Sequence, residues 1–344
     1  MEVAPCEVRP YRDGDAGPLV ELWNAVFAAE PGARRRTPEE WAWLYLRNPC
    51  GRQVLVAEEA GGRLVANYSG LPLRCQVGGR PSIAALVLDS MVHPDHRAGL
   101  RHEGVFLRTA REWFARYSAP AVNAIHYGFP NRRAYPIGRR FLAYEPFVEP
   151  VPALHCNFFA TPDDDEVGRD GAGDVVATEL KRLAAPPLAA ELDSLWHRLA
   201  PGYPFALVRD AAFADWRHDQ PHWLPHRRFL LRGRDGTLRG WFVARERWQG
   251  QPILAVIDLL VAPDDAPAVG AALRAATRLA RATGHGRVEL WLPDTHPTFR
   301  HALAAGFRSE PGPFVMVLQL RTQEVSRADA RAACYCTIAD SDVW

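Results

Sequence analysis

The stretch Leu86–Tyr117, LVLDSMVHPDHRAGLRHEGVFLRTAREWFARY, decides how this chain is read. Leu86–Val92 has the character of a strand and His93-Pro94-Asp95 that of a sharp turn. In the helix pattern that closes the stretch, Phe106, Ala110, Trp113, Phe114 and Tyr117 recur at spacings of three and four. That is one apolar face of a 3.6-residue period. Between strand and helix runs a loop rich in arginine and glycine. A basic loop feeding a helix N-terminus suits an anion, because unpaired backbone N–H groups and the helix dipole both point into it. Arg97, Gly99, Arg101 and Gly104 are the residues expected to wrap a phosphate or pyrophosphate.

Upstream, Asp13–Phe27 carries Leu19, Leu22, Trp23 and Val26 on one helical face. Thr37-Pro38-Glu39-Glu40 is a helix start, with Thr as N-cap, Pro at the first helical position and Glu three residues after the cap. Asn48-Pro49-Cys50-Gly51 stops that helix. Val54–Ala57, Leu64–Leu73 and Ser82–Val92 read as three strands joined by the glycine turns Gly61-Gly62 and Gly78-Gly79, an antiparallel meander. Downstream, Val122–Phe129 reads as a strand parallel to the one before the helix, because a helical crossover connects them. Ala134–Phe141 is a short helix and Ala143–Val148 a strand.

The 344 residues suffice for two domains, and 48% hydrophobic content with 11 Trp and 15 Phe is ample for packed cores. With 41 basic against 40 acidic side chains, the chain has no general electrostatic reason to bind nucleic acid or a membrane. The many Arg, Ala, Pro and Gly residues reflect genome composition before function. The six cysteines show no metal-ligand spacing, and Cys334 and Cys336 are too close for an ordinary bridge, so free thiols are expected. No run of about 18 apolar residues occurs and the N-terminus lacks a signal-type core. A cytoplasmic, bacterial protein without a membrane partner is the expectation; the sequence sets no oligomeric state.

The second half repeats the first. Arg228–Arg234, Leu238–Arg247 and Pro252–Val261 are strands around the turns Asp235-Gly236 and Gln249-Gly250. Then follow a helix at Ala266–Thr283, a strand at Arg287–Leu292, a helix at Pro297–Ala305 and a strand at Phe314–Leu320. Val87–Asp95 and Val256–Asp264 share the pattern V-x-D-x-x-V-x-P-D, which points to an internal duplication. After the shared Pro-Asp the copies part. The first carries Arg97, Gly99, Arg101 and Gly104; the second carries Asp265-Ala266-Pro267-Ala268 and would repel a phosphate. The expected organisation is an N-terminal domain over 1–150, a linker region over 151–190, a degenerate second copy over 191–322 and a tail over 323–344.

Strand, Val92-His93-Pro94-Asp95-His96-Arg97, glycine-bearing loop, helix and parallel strand together resemble the GNAT superfamily of acyl-CoA-dependent N-acyltransferases. Ile125–Asn131 followed by Ala134-Tyr135 is similar to that family's next motif. The loop departs from the family pattern, with extra residues before Gly104. The resemblance implies an α/β chain of two tandem GNAT folds, each a mixed, mostly antiparallel sheet flanked by helices. It also implies an N-acyltransferase, an N-acetyltransferase if the donor is acetyl-CoA. The donor, acyl-CoA as co-substrate, would lie along Met91, Val92, Arg97, Ala98, Gly99, Arg101 and Gly104, with Asn131 on the pantetheine arm. Tyr135 would protonate the leaving thiolate, although it stands one helical turn earlier than the family's tyrosine.

Acyl transfer to an amine needs a neutral nucleophile, oxyanion donors and a protonated leaving group. Backbone N–H groups at Ser90–Val92 are the candidate oxyanion donors. Asp89 is the nearest carboxylate and a candidate base, with a structural alternative because Asp258 holds the same place in the second copy. His126 is a second candidate base, and His93 and His96 are candidate phosphate contacts. His218, His222 and His226 sit among prolines that break a shared helix, so no metal is expected. A small-molecule amine is the expected acceptor. Three alternatives stand beside this reading: an acyl carrier protein as donor, an aminoacyl-tRNA donor as in Fem-type transferases, and a non-catalytic scaffold.

Overall fold

The computed structural model describes residues 6–28, 34–97, 104–131, 134–157, 174–246 and 250–342. In chain order the first elements are β1 (Cys6–Pro10), α1 (Ala16–Phe27), α2 (Pro38–Tyr45), β2 (Gln53–Glu59), β3 (Leu64–Val77) and β4 (Arg80–Val92). Then come α3 (Val105–Tyr117), β5 (Ile125–Gly128), α4 (Ala134–Phe141), β6 (Pro146–Val148), β7 (Pro152–Asn157) and β8 (Val175–Leu180). α5 (Leu188–Leu199), β9 (Phe205–Leu207), α6 (Ala211–Ala214), β10 (His226–Gly233), β11 (Leu238–Arg245) and β12 (Ile253–Val261) follow. The chain closes with α7 (Ala266–Ala282), β13 (Arg287–Trp291), α8 (Pro297–Ala304), β14 (Arg308–Pro311), β15 (Met316–Leu320) and α9 (Arg327–Ala332).

Two compact units result. The first comprises Met1–Arg74, Ser82–Pro146 and Val317–Gln323; the second comprises Cys75–Pro81, Phe147–Met316 and Glu324–Trp344. The first sheet has the strand order β1-β2-β3-β4-β5-β15-β6, the second β14-β7-β13-β12-β11-β10-β8. Written from the other end, the second order is the first over again. In each sheet a helical crossover joins one parallel pair, β4 with β5 and β12 with β13. The neighbouring pairs are antiparallel.

The match holds only because each sheet takes one strand from the other half's stretch of sequence. β15, which follows β14, pairs with β5 through Val317↔Gly128 to Leu320↔Ile125. β7, which follows β6, pairs with β13 through Arg287↔Asn157 to Trp291↔Ala153. The expected placement of Phe314–Leu320 in the second copy is therefore corrected. Local periodicity identifies a strand there but carries no information about its partner. The segment 151–190, read as a linker, likewise supplies β7 and β8 to the second sheet.

Helix α3 packs on the first sheet as its spacing predicts. Ala110 and Trp113 are fully buried, with Phe106, Phe114 and Tyr117 half-buried against Leu55, Tyr68 and Ala85. The Trp113 indole N–H donates to Gln53 O at 2.9 Å, so its polar edge is satisfied inside the core. Truncating a side chain of that size in such a place costs about 3–5 kcal/mol. The Thr37 capping box forms as read: Glu40 N–H donates to Thr37 Oγ1 at 3.2 Å, and Thr37 N–H to Glu40 Oε2 at 3.1 Å. It fixes where α2 begins, and with it the direction of Arg36, the residue just before the cap.

Candidate functional site

In the first unit the parallel pairing of β4 with β5 runs from Ala84↔Ile125 to Leu86↔Tyr127 and then ends. Beyond it lie Leu88–Val92 on one side and Gly128–Asn131 on the other. Three residues past the last pair, Asp89 has a left-handed backbone with φ +52°. A non-glycine residue pays for that conformation, although Asp tolerates it better than most. The extended backbone of β4 is interrupted at this one residue.

The Asp89 side chain is fully engaged. Trp23 Nε1–H from α1 donates to Oδ1 at 3.1 Å, and the Tyr45 hydroxyl from α2 donates to Oδ2 at 2.8 Å. The Arg36 guanidinium also pairs with Oδ2, and it lies over the Trp23 ring at 4.4 Å. The backbone is held too, because Asn67 Nδ2–H donates to Asp89 O at 2.8 Å. Burial, and then the Asp89 charge, push the Tyr45 phenol well above its ordinary pKa, so it serves as a donor. Three donors occupy both oxygens of the carboxylate, which suits a structural anchor.

Other expected site residues fall as follows. Met91 is buried and Val92 half-buried on β4. Arg97 is exposed at the end of the short 3₁₀ turn Pro94–His96. Ala98, Gly99 and Arg101 lie outside the described residues. Gly104 is the N-cap of α3, extended at φ −73° and ψ 165°, and contributes no capping side chain. Asn131 caps α4: its Oδ1 accepts the Ala134 N–H at 2.9 Å and its carbonyl the Tyr135 N–H at 3.0 Å. Tyr135 is half-buried with the Arg139 guanidinium 5.7 Å from its ring centre. His93 and His96 engage the β2–β3 hairpin, His93 Nε2 with Arg63 at 2.7 Å and His96 Nε2 with Glu59 at 3.2 Å.

His126 is turned away from the opening. Its Nε2 lies 3.1 Å from Tyr117 O, and its ring packs against Trp113 and Phe114 of α3. Burial lowers its pKa to about 4. Strand alternation allows only one of His126 and Tyr127 on each face, and His126 takes the helix face.

A tyrosine not singled out from the sequence occupies the more informative position. Gly138 stands seven residues after Asn131, one helical turn beyond Tyr135. A Cβ on Gly138 would meet the Tyr144 ring at 2.0 Å. The Tyr144 ring therefore fills the space that a side chain on α4 would otherwise take. Its hydroxyl lies 3.0 Å from that of Tyr68, whose pKa burial raises well above the ordinary value.

The second unit repeats the carboxylate network. β12 pairs with β13 up to Val256↔Leu290, and two residues later Asp258 is fully buried. Arg209 Nε–H donates to its Oδ1 at 2.9 Å, and His218 Nε2 lies 3.1 Å from its Oδ2. Burial by itself would raise the Asp258 carboxyl, but the Arg209 charge and His218 outweigh it and hold it well below the usual range. Here the chain's own tail completes the network. Thr337 Oγ1–H donates to Asp258 Oδ1 at 2.9 Å, Arg209 Nη2–H donates to Asp340 Oδ2 at 2.6 Å, and the Tyr335 hydroxyl bonds Leu259 O. At the start of α7, Asp265 Oδ1 accepts the Ala268 N–H at 2.9 Å while Arg239 grips the carboxylate at 2.8 and 2.6 Å. His218 is thus a partner of Asp258. Among the described residues no group of three His, Cys, Asp or Glu is placed to hold a metal ion.

The networks share a signal that sequence reading passed over. Arg36, Trp43 and Tyr45 match Arg209, Trp216 and His218 in an R-x6-W-x-[YH] spacing, with helix N-caps Thr37 and Asp210 directly after the arginines. Read beside V-x-D-x-x-V-x-P-D, it would have paired each arginine with its aspartate.

Residues 7–144 match a family model described as an acetyltransferase (GNAT) domain. Among solved structures, a probable N-acyltransferase from Enterococcus faecalis aligns with TM-score 0.66 at 14% identity, over 92% of this chain and 73% of that one. A tandem GNAT protein from the clavulanic acid biosynthesis pathway aligns with TM-score 0.55 at 16% identity, over 93% of this chain and 100% of that one. The N-myristoyltransferase of Saccharomyces cerevisiae, solved with bound myristoyl-CoA, aligns with TM-score 0.56 at 13% identity over 92% and 82%. No curated protein matches the chain. The first part of the chain thus matches a GNAT acetyltransferase domain, and the chain carries two tandem GNAT folds.

Proposed function

We propose that the protein is an N-acyltransferase that takes its acyl group from an acyl-CoA bound to the first unit and passes it to the amine of a small molecule. The observation that carries this reading is the contrast between the two helix N-termini. At α7 the Asp265 carboxylate, tied by Arg239, accepts the Ala268 N–H and puts a negative charge at the helix start. At α3 the cap is Gly104, which brings no side-chain carboxylate to the helix start and so suits an outside anion such as the pyrophosphate of coenzyme A.

The remaining parts of the proposal draw on the first unit. The pantetheine arm lies between the parted ends of β4 and β5, with Met91 and Val92 on one side and Asn131 on the other. Arg97, with Ala98, Gly99 and Arg101 as the sequence resemblance implies, would meet the phosphates. Backbone N–H groups at Ser90–Val92 stabilise the oxyanion formed as the neutral amine attacks the thioester carbonyl; the nitrogen then gives up one proton to solvent, the C–S bond breaks and the amide forms. Tyr144 protonates the departing thiolate, a role for which its place over Gly138 suits it better than that of Tyr135. Asp89 anchors the strand that supplies the oxyanion donors. The second unit is a degenerate partner whose helix terminus is filled from within. Myristoyl-CoA bound to the yeast structural neighbour supports a CoA thioester as the donor class.

Calorimetry with coenzyme A, acetyl-CoA and bulk tRNA at about 150 mM salt, where nonspecific phosphate contacts are screened, tests the donor assignment. Saturable coenzyme A binding that Arg97→Ala weakens is the expected result. Silence toward coenzyme A together with saturable tRNA binding would replace the donor with an aminoacyl-tRNA.

A further inference from the structure

The arginine–aspartate–hydrogen-bond-donor triad occurs twice and is unassigned in both copies. We infer that in the first unit Arg36, Tyr45 and Trp23 are positioning residues, which hold the interruption of β4 at Asp89 in the geometry acyl transfer requires. The inference rests on the proposed acyltransfer reading for its purpose, though not for its structural content.

Four observations converge on it. Asp89 carries a left-handed backbone at the third residue past the last β4–β5 pair, where the strands part. Among the described residues the partners of its carboxylate come from the stretch between β1 and β2: Trp23 from α1, Arg36 from the residue before the α2 cap, and Tyr45 from the last turn of α2. Asn67 fixes the carbonyl of the same residue from β3. The second unit reproduces the arginine and the aspartate and replaces tyrosine with histidine, which presents a ring nitrogen to the same carboxylate. A local strain is retained only where surrounding contacts determine it. Here those contacts are an ion pair, two uncharged donors and a carbonyl clamp. Ser90–Val92, the proposed oxyanion strand, begins at the next residue, so a change of φ at Asp89 would swing their N–H groups off the donor carbonyl. Misplacement by about 1 Å is enough to cost a large part of the rate.

The interchange of tyrosine and histidine between copies supplies the decisive variants. Tyr45→Phe keeps the packing and removes the donor; Tyr45→His restores a donor of the kind the second unit uses; Arg36→Met removes the ion pair. Amide hydrogen exchange over 86–92 would be measured beside exchange over 253–261 and the melting temperature. Arg36→Met and Tyr45→Phe are expected to speed exchange at 88–92 at least tenfold while 253–261 stays unchanged, and Tyr45→His to remain close to the parent. With acetyl-CoA, kcat should fall at least tenfold in the first two variants, with KM within about twofold. Unchanged exchange at 88–92 in both would overturn the inference, as would acceleration spread evenly through the first sheet. A parent protein indifferent to acetyl-CoA would sink the donor reading instead, while the exchange data would still decide the triad.

Discussion

Asp89 and Asp258 stand at the same place in two copies of one fold, and each is bound by an arginine that precedes a helix cap. Their surroundings differ. The Asp258 and Arg209 side chains are both 0% exposed, and the chain's own tail closes over them. The Asp89 and Arg36 side chains keep 8% exposure each, and the third donor is an indole that is itself half-buried. The same charge pair is thus a fastening in one copy and a support beside an opening in the other. The helix termini diverge in the same sense, with Asp265 held by Arg239 at one and Gly104, which has no side chain to cap with, at the other.

The sharpest way to break this comparison is to remove each carboxylate in turn. Asp258→Ala leaves Arg209 buried beside a vacancy and should cost about 3–5 kcal/mol in chemical denaturation. Asp89→Ala should cost half of that or less, because the Arg36 side chain keeps the Trp23 face and some contact with water. Equal losses would erase the distinction.

A second test uses acid. Burial lowers the His126 pKa from its ordinary 6.5 to about 4, so between those values the unfolded chain holds a proton that the folded chain refuses. The stability tied to His126 is complete above pH 6.5 and is lost as pH falls towards 4, to a total of about 3 kcal/mol. His126→Gln should flatten this slope for the first unit. An unaltered slope would show that other groups carry it.

Next comes the proton donor. Tyr144→Phe should lower kcat about a hundredfold in a thiol-release assay, the usual scale of general acid catalysis, with the melting temperature nearly constant. Tyr135→Phe should leave kcat within about twofold. The opposite ranking would return the role to Tyr135. The smallest effect belongs to Gly104→Asp, which copies Asp265 into the first unit. A capping carboxylate should stabilise α3 by about 1 kcal/mol and weaken coenzyme A binding about tenfold. Tighter binding would refute the idea that α7 is closed by its own aspartate.

Much of this was legible in the residues. The V-x-D-x-x-V-x-P-D repeat pointed to two copies, which the two matching sheets bear out, and the Thr37 capping box marked the start of α2. Periodicity located α3 and most strands because burial of one face is a local pattern of the chain. Four features depended on tertiary structure. β7 and β15 exchange sheets, and pairing is set by edges that meet only in the fold. His126 rather than Tyr127 faces α3, which register decides. Tyr144 comes to lie over Gly138, a contact that depends on the chain turning back after α4 and on a missing Cβ. Arg36 and Asp89 are 53 positions apart, and the intervening helix and sheet bring them together. Sequence alone determined most of the helices and strands, since one-sided burial follows from neighbours along the chain. Tertiary structure decided which side chains surround the opening, since those meet only when distant segments pack.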